Sequence, residues 1–381
     1  MPDGSHSPTF LTWSDWVKRT SAPGVESPNG VLRVVDLFSG CGGMTLGAVE
    51  GARRRRKRVE VVLALDLNAD AMAVYRQNFR VCEARGQLAD VSDFFPGAVG
   101  QDILLTEEAL AGRVGNVDLL MAGPPCQGNS DLNNRSRRTD PRNALYMKAV
   151  RAIEVLRPSF SIIENVPGVV HDRGGVADLA RRSLVAMGYR VASGVVAFAD
   201  FGLAQSRRRH VTLVSRCLSE GEMAEYFTPT VKRRSTIREF IGDLEREGSR
   251  RESLMDYVPS MSPANAARAV WLIENDQFDL PNELRPPCHR DKNHSYVSMY
   301  GRLSWDRPAQ TITTGFGSMG QGRYVHPSRP RTLTCREAAR LQGFPDYFDF
   351  GRAGSISQLR EMIGNAVPPQ FVAHIVSSVF V

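Results

Sequence analysis

The chain has 381 residues, 42% of them hydrophobic and 23% charged, which is ordinary for a globular protein and more than one small domain needs. No uncharged apolar run approaches the roughly 20 residues of a membrane-spanning helix, and the polar Met1–Asn29 stretch holds no apolar leader, so a cytosolic location is expected. The net charge of 48 − 41 = +7 suits a polyanionic partner without requiring one, and six single cysteines with no CxxC pair indicate neither a zinc ribbon nor a disulfide framework.

From Val31 onward, strand-like and helix-like segments alternate. Leu32–Leu37 is a short apolar run, and Met44–Gly51 continues as a helix. Val59–Leu65 is β-branched, and Ala69–Phe79 reads as the next helix. Val117–Ala122 reads as a third buried strand. Asn143–Leu156 is a helix with Leu145, Ala149, Ile153 and Leu156 along one stripe. Phe160–Ile163, Val176–Met187, Tyr189–Phe198 and His210–Ser215 extend the alternation. This predicts a doubly wound, mostly parallel α/β sheet covered on both faces, with ligands at the carboxyl ends of its strands. After Arg216 the alternation lapses. Arg233–Arg251 is charge-rich, and Pro259–Pro263, Pro281–Pro287 and Gly315–Gly322 are turn-rich. Helical patterns return at Cys335–Leu341 and Pro369–Val379.

The residues just after the strands carry the chemistry. The first strand runs into Asp36-Leu-Phe-Ser-Gly-Cys-Gly-Gly43, a turn that lets a ligand approach the backbone. Thr45 stands where a dinucleotide fingerprint wants its third glycine, so another adenosine-type ligand is favoured over a pyrophosphate; a plain tight turn is the alternative. Asp66 ends the second strand and can accept from ribose hydroxyls, and Asp90 is a third acidic candidate. Gly123-Pro-Pro-Cys126-Gln127 follows the third strand, and the two prolines stiffen the turn that aims the Cys126 sulfur. The alternative is a buried filler cysteine. Arg135, Arg137, Arg138 and Arg142 make the next loop basic, fit to close over a phosphate backbone or simply to be solvated. Glu164 ends the fourth strand, where it can share a crevice with Cys126 and, if buried, donate a proton. Arg207 and Arg209 alternate before the last strand, so both project one way if extended, and they can clamp a carboxylate and a phosphate.

In this order, Asp36–Gly43, Gly123–Gln127, Glu164-Asn-Val166 and Gln205-Ser-Arg-Arg-Arg209 resemble the cytosine-5 DNA methyltransferases of bacterial type. Arg307-Pro-Ala-Gln-Thr-Ile-Thr-Thr314, Arg340-Leu-Gln-Gly-Phe-Pro345 and Gly364-Asn-Ala-Val-Pro-Pro-Gln370 extend the resemblance, which covers Val31 to Val381 apart from the variable middle. It implies a Rossmann-like methyltransferase sheet (31–216) behind an N-terminal extension (1–30). It also implies a smaller, irregular DNA-recognition domain (217–330) and a segment (331–381) that returns to the catalytic domain. It implies methyl transfer from S-adenosylmethionine to carbon 5 of a flipped cytosine in a specific duplex sequence. Cys126 would be the nucleophile, Glu164 would serve ring nitrogen 3, and Arg207 and Arg209 would steady the base oxygen and nearby backbone. The cofactor residues implied are Phe38, Ser39, Gly40, Cys41, Gly42, Gly43, Asp66, Leu67, Asp90, Val91, Pro124, Asn365 and Ala366. The DNA contacts implied are Gln127, Ser130, Arg135, Arg137, Arg138, Thr311 and Thr314. A monomer with a cognate restriction endonuclease as companion is expected. The rival readings are a transfer-RNA cytosine methyltransferase and an inactive DNA-binding protein.

Two features fall outside the resemblance. Arg53–Arg58 is a run of basic residues read as a solvated loop in preference to a phosphate contact. Cys288, His289 and His294 look like metal ligands, but no cysteine pair completes a site and no metal is expected.

Overall fold

The computed structural model describes residues 12–25, 28–125, 144–171, 174–244, 253–290 and 298–381. Seven strands form one sheet: β1 (Val31–Leu37), β2 (Arg58–Asp66), β3 (Gly86–Leu88), β4 (Leu119–Ala122), β5 (Phe160–Asn165), β6 (Arg190–Ala197) and β7 (Arg208–Ser215). Their order is β3-β2-β1-β4-β5-β7-β6. The first five strands in that order run parallel, and β7 lies antiparallel to both β5 and β6. The strand expected over Val117–Ala122 is Leu119–Ala122, and it is the fourth in the chain because the three-residue β3 precedes it.

The central strands are near-continuous apolar runs because both faces are covered. Leu32, Val34, Leu119, Met121 and Ile162 point into one layer, which holds Leu46, Ala48, Phe371, Val372 and Ile375. Val35, Leu37, Leu120, Ala122 and Ile163 point into the other, which holds Leu110, Tyr146, Ala149, Ile153 and Leu184. The first layer is closed by the Pro369–Val379 helix lying on the Gly43–Arg54 helix. Gly43, Gly47 and Gly51, four residues apart, form one face of the latter. A Cβ at Gly47 would collide with Pro369 O, and one at Gly51 would stand 2.7 Å from Ala373 O. Only glycine permits that approach of two backbones.

The short Trp13–Val17 helix packs onto this body. Trp16 and Val17 are buried in the main core, and the carbonyls of Val17 and Arg19 accept from the N–H groups of Asp346 and Tyr347, each at 2.9 Å. The basic run is only in part the solvated loop expected: Arg55, Arg56 and Arg58 are exposed, but the residues around them are held. Arg53 and Arg54 end the Gly43–Arg54 helix and pair with the buried Glu50 at 2.8 and 3.0 Å. The Arg54 guanidinium also lies 4.9 Å over the Trp13 ring, and Lys57 donates to Val381 O at 3.1 Å. The run leads into the amino end of β2, opposite the crevice where ligands of such sheets bind.

Beyond β7 the chain divides its apolar residues. Ile237, Phe240, Ile241, Leu303, Ala309, Ile312 and Phe316 join the main core. Ala269, Leu272, Leu280, Tyr300, Met319 and Val325 form a separate small core around the Pro263–Glu274 helix. Among the described residues, no helix is long and apolar enough to cross a membrane.

Candidate active site

The crevice begins where β1 ends. Phe38, Gly40 and Gly42 all have positive φ (56°, 54° and 96°), and Phe38 holds this conformation without glycine's freedom. The turn is fixed from the next strand: Ser39 N–H donates to Leu65 O at 3.0 Å, and Gly40 N–H donates to Asp66 Oδ2 at 2.7 Å. Asp66 also accepts from Asn68 N–H at 2.8 Å; burial pushes its carboxyl up while these backbone donors hold it down. Asp66 is therefore the brace of the turn as well as a candidate ligand.

Beneath the turn, Thr45 Oγ1 donates to Asp36 Oδ2 at 2.6 Å and lies 2.7 Å from Tyr75 Oη. Burial pushes the Asp36 carboxyl up to about 8, against the pull of the Thr45 hydrogen bond. Asp36 Oδ1 and Ser39 Oγ are buried with no protein partner, so this corner has polar capacity left for a ligand. Exposed apolar side chains lie at the neighbouring strand ends: Leu67 after β2, 67% exposed, and Leu88 at the end of β3, 52% exposed. Asp90 caps the short helix that follows, accepting from Ser92 N–H at 2.7 Å, and Val91 is buried beside it. These features suit a ligand with an apolar ring and hydroxyl donors.

The far wall comes from the C-terminal part of the chain. Asn365 ends the Ile356–Asn365 helix and is exposed, and Ala366 caps it. Cys41 Sγ lies 3.9 Å from Met362 O, and a Cβ at Gly43 would collide with Val367 O, so the turn and this wall touch. Burial pushes the Cys41 thiol up to about 12, which leaves no thiolate at neutral pH.

Next to this pocket, β4 runs into Gly123-Pro124-Pro125. Asn165 Nδ2 donates to Pro124 O at 3.3 Å, tying that turn to the end of β5. Glu164 is 7% exposed and its Oε2 would stand 3.9 Å from a Cβ placed on Gly123. Arg209 Nε lies 2.9 Å from Glu164 Oε1. That is ion-pair distance without the alignment of a hydrogen bond, since Oε1 has no hydrogen-bond partner. A carboxylate, a guanidinium and the turn leading to Cys126 thus meet at adjacent strand ends.

Residues 32–380 match the model of the C-5 cytosine-specific DNA methylases. The chain belongs to that family. It is 40% identical over 356 residues to the Type II methyltransferase M1.BsuMI of Bacillus subtilis (strain 168), spanning 93% of this chain and 81% of that one. It is 31% identical over 345 residues to the Type II methylase M.HgiDII of Herpetosiphon aurantiacus, spanning 88% and 91%. The crystal structure of the S. pombe Dnmt2 methyltransferase shares its fold, with a TM-score of 0.63 at 20% identity over 92% of this chain and 98% of that one. The protein is a DNA cytosine-5 methyltransferase, and its reaction requires a methyl donor.

Among the residues expected from sequence, the methylase brings together Phe38–Gly43, Asp66, Pro124, Glu164, Arg209, Asn365 and Ala366 around one crevice. Arg207 is placed differently from Arg209. It is 2% exposed, and its Nη1 donates to Ile312 O at 3.2 Å and Gly364 O at 3.3 Å. Thr311 is half-buried, its carbonyl accepting from Tyr324 Oη at 2.8 Å, whereas Thr314 is exposed. Cys126, Gln127, Ser130, Arg135, Arg137 and Arg138 lie outside the described residues, as do His294 and the Cys288 side chain. Sequence reasoning gave no site role to Asn165, Thr45 or Tyr75. Asn165 sits inside the Glu164-Asn-Val166 motif, which was the available signal, while nothing in the sequence links Thr45 to Tyr75, 30 positions on.

Proposed function

We propose that the methylase acts on cytosine within a specific sequence of duplex DNA, using Cys126 as nucleophile and S-adenosylmethionine as methyl donor. The observation that carries this reading is the Glu164–Arg209 pair beside Gly123, three residues before Cys126 in the chain. When bound, S-adenosylmethionine supplies an electrophilic methyl group. The unpartnered Ser39 Oγ, the Asp66 carboxylate and the exposed Leu67 side chain fit its polar and apolar parts, with Pro124, Asn365 and Ala366 as the surrounding wall.

Carbon 5 of cytosine is a weak nucleophile. Attack of the Cys126 thiolate on carbon 6 makes it enamine-like. Glu164 serves ring nitrogen 3, where charge develops on attack, and Arg209 holds the Glu164 carboxylate and the base oxygen in place. Loss of the carbon 5 proton after methyl transfer expels Cys126. These groups cannot reach a stacked base, so the cytosine leaves the helix at a cost of about a few kcal/mol, offset by contacts in the crevice. Residues 217–306 read the sequence, Arg135, Arg137 and Arg138 serve the phosphates, and Gln127, Ser130, Thr311 and Thr314 are further DNA contacts. The enzyme works as a monomer in the cytosol, and the Type II names of its relatives favour a cognate restriction endonuclease as companion.

Tritium transfer from labelled S-adenosylmethionine to duplex DNA and to transfer RNA tests the reading directly. Duplex DNA should be labelled and transfer RNA should not. Cys126→Ala should abolish transfer while S-adenosylmethionine binding persists. Labelling of transfer RNA alone, or undiminished transfer by Cys126→Ala, would overturn it.

A further inference from the structure

Behind the crevice, four segments far apart in sequence meet at a knot of buried amides. Gln205, Arg207 and Gln342 are all buried; neither glutamine has measurable exposure. Gln342 Nε2 donates to Ile363 O at 2.7 Å and to Ala366 O at 3.1 Å, carbonyls two residues before and one residue after Asn365. Its Oε1 accepts from Gln205 Nε2 at 2.7 Å. Gln205 Nε2 also donates to Leu341 O at 3.0 Å, and Gln205 Oε1 accepts from Ile312 N–H at 2.9 Å. Arg207 closes the ring by bonding Ile312 O and Gly364 O together. At the centre a Cβ on Gly364 would collide with Thr314 N, so the last turn of the Ile356–Asn365 helix rests directly on the 313–314 backbone.

We infer that Gln205 and Gln342 are a positioning pair that couples the cofactor wall to the DNA-facing Thr311–Thr314 segment. The inference rests on the proposed readings of Asn365 and Ala366 as cofactor wall and of Thr311 and Thr314 as DNA contacts. Both amides are satisfied in this arrangement, and a buried amide that loses its partner is costly, so the pair admits one relative placement of the segments it joins. On one side, the pair sets the carbonyls that flank Asn365. On the other, it sets the backbone of Ile312, one residue from Thr311. Arg207 stands two residues before Arg209, so the base side of the crevice is tied into the same knot. Neither glutamine needs to touch donor or DNA to act.

The prediction separates positioning from mere support. Gln342→Met keeps the length and apolar volume of the side chain but removes its donors and acceptor. It should weaken S-adenosylmethionine binding by calorimetry and raise KM for DNA, each about tenfold, with kcat reduced less than threefold. Gln205→Met should do the same from the other partner and guards against misfolding of the first variant. Because the two act as a unit, the double variant should lose little more than either single one. Unchanged donor affinity and DNA KM in both folded variants, with only a lower melting temperature, would overturn the coupling. Asn365→Ala separates this failure from that of the wall itself. If it leaves donor affinity unchanged, the wall reading falls and the coupling with it. If it weakens donor binding while both glutamine variants bind as wild type, the coupling alone falls.

Discussion

The crevice and the small core beyond β7 are built in opposite ways. At the ends of β1 and β2 the backbone makes the site: Ser39 and Gly40 N–H groups are fixed by Leu65 O and Asp66, and the strands behind them pair along their length. Around the small core, long side chains reach across to hold loops. Arg302 donates to Gln277 O at 3.0 Å and Pro327 O at 3.1 Å, Arg323 to Phe278 O at 2.7 Å, and Arg268 to Leu284 O at 2.7 Å. A sheet-borne site has almost no latitude, which suits chemistry that tolerates little displacement. Loops tied by side chains can be exchanged without disturbing the sheet, which suits a surface that has to differ between enzymes reading different sequences.

The sharpest way to break this contrast is an exchange. Replacing residues 217–306, which stop short of the Arg307–Thr314 motif, with the matching segment of a relative should move methylation wholly to the relative's sequence, as read by modified-base mapping, with donor affinity unchanged. An active chimera that keeps the original site would place recognition in the sheet domain.

Glu164→Gln attacks the other side of the contrast. It should slow single-turnover methyl transfer by roughly 10²–10³-fold while DNA affinity shifts little, because the interaction matters most as charge develops on the base. A rate equal to wild type would remove Glu164 from the chemistry.

Asp66→Ala should weaken donor binding by at least about tenfold by calorimetry, since it removes both a candidate ribose acceptor and the brace on Gly40 N–H. Unchanged affinity in Asp66→Ala would assign the ribose to another group.

The smallest effect is one of pH. Burial raises the Asp36 carboxyl from its ordinary 3.8 to about 8, so its stabilising contribution is full below the unfolded value and is lost as pH rises through about 8. Asp36→Asn removes that titration. Between pH 6 and 9 its urea midpoint should fall less than that of the wild-type chain. Parallel curves would mean that Asp36 does not titrate in this window.

Much of the sheet domain was legible because its periodicities are strong. The helices Ala69–Phe79, Cys335–Leu341 and Pro369–Val379 fall where their apolar spacing places them. β3 was missed because Gly86-Gln87-Leu88 is too short to show alternation, and its place is set by pairing with Ala64–Asp66. The Ile356–Asn365 helix was missed because Ser357, Gln358, Arg360 and Glu361 dominate its composition, and only Leu359, Met362 and Ile363 mark its buried side. Motif order brought Asp36, Glu164 and Arg209 to notice, yet could not say that Arg207 turns away to carbonyls 105 and 157 positions along the chain. Local pattern records which face is apolar; it does not record which distant backbone a polar side chain will meet. The basic run Arg53–Arg58 makes the same point, since its partners Glu50, Trp13 and Val381 are invisible to a count of charges.

The glycine stripe on the Gly43–Arg54 helix has a consequence for how the protein is made. The groove it forms is filled by the Pro369–Val379 helix, and the turn at its start touches Met362, 321 positions beyond Cys41. During synthesis, the sheet domain leaves the ribosome long before the helix that seals it. At a translation rate of about 5–20 residues per second, that groove stays open for tens of seconds, with Leu46 and Ala48 short of their partners and the turn after β1 lacking the wall that Met362 and Val367 form. The sheet domain is therefore sealed late, and a ribosome stalled shortly before position 369 should hold a chain whose Leu46 and Ala48 stay open to the chaperones that survey exposed apolar surface.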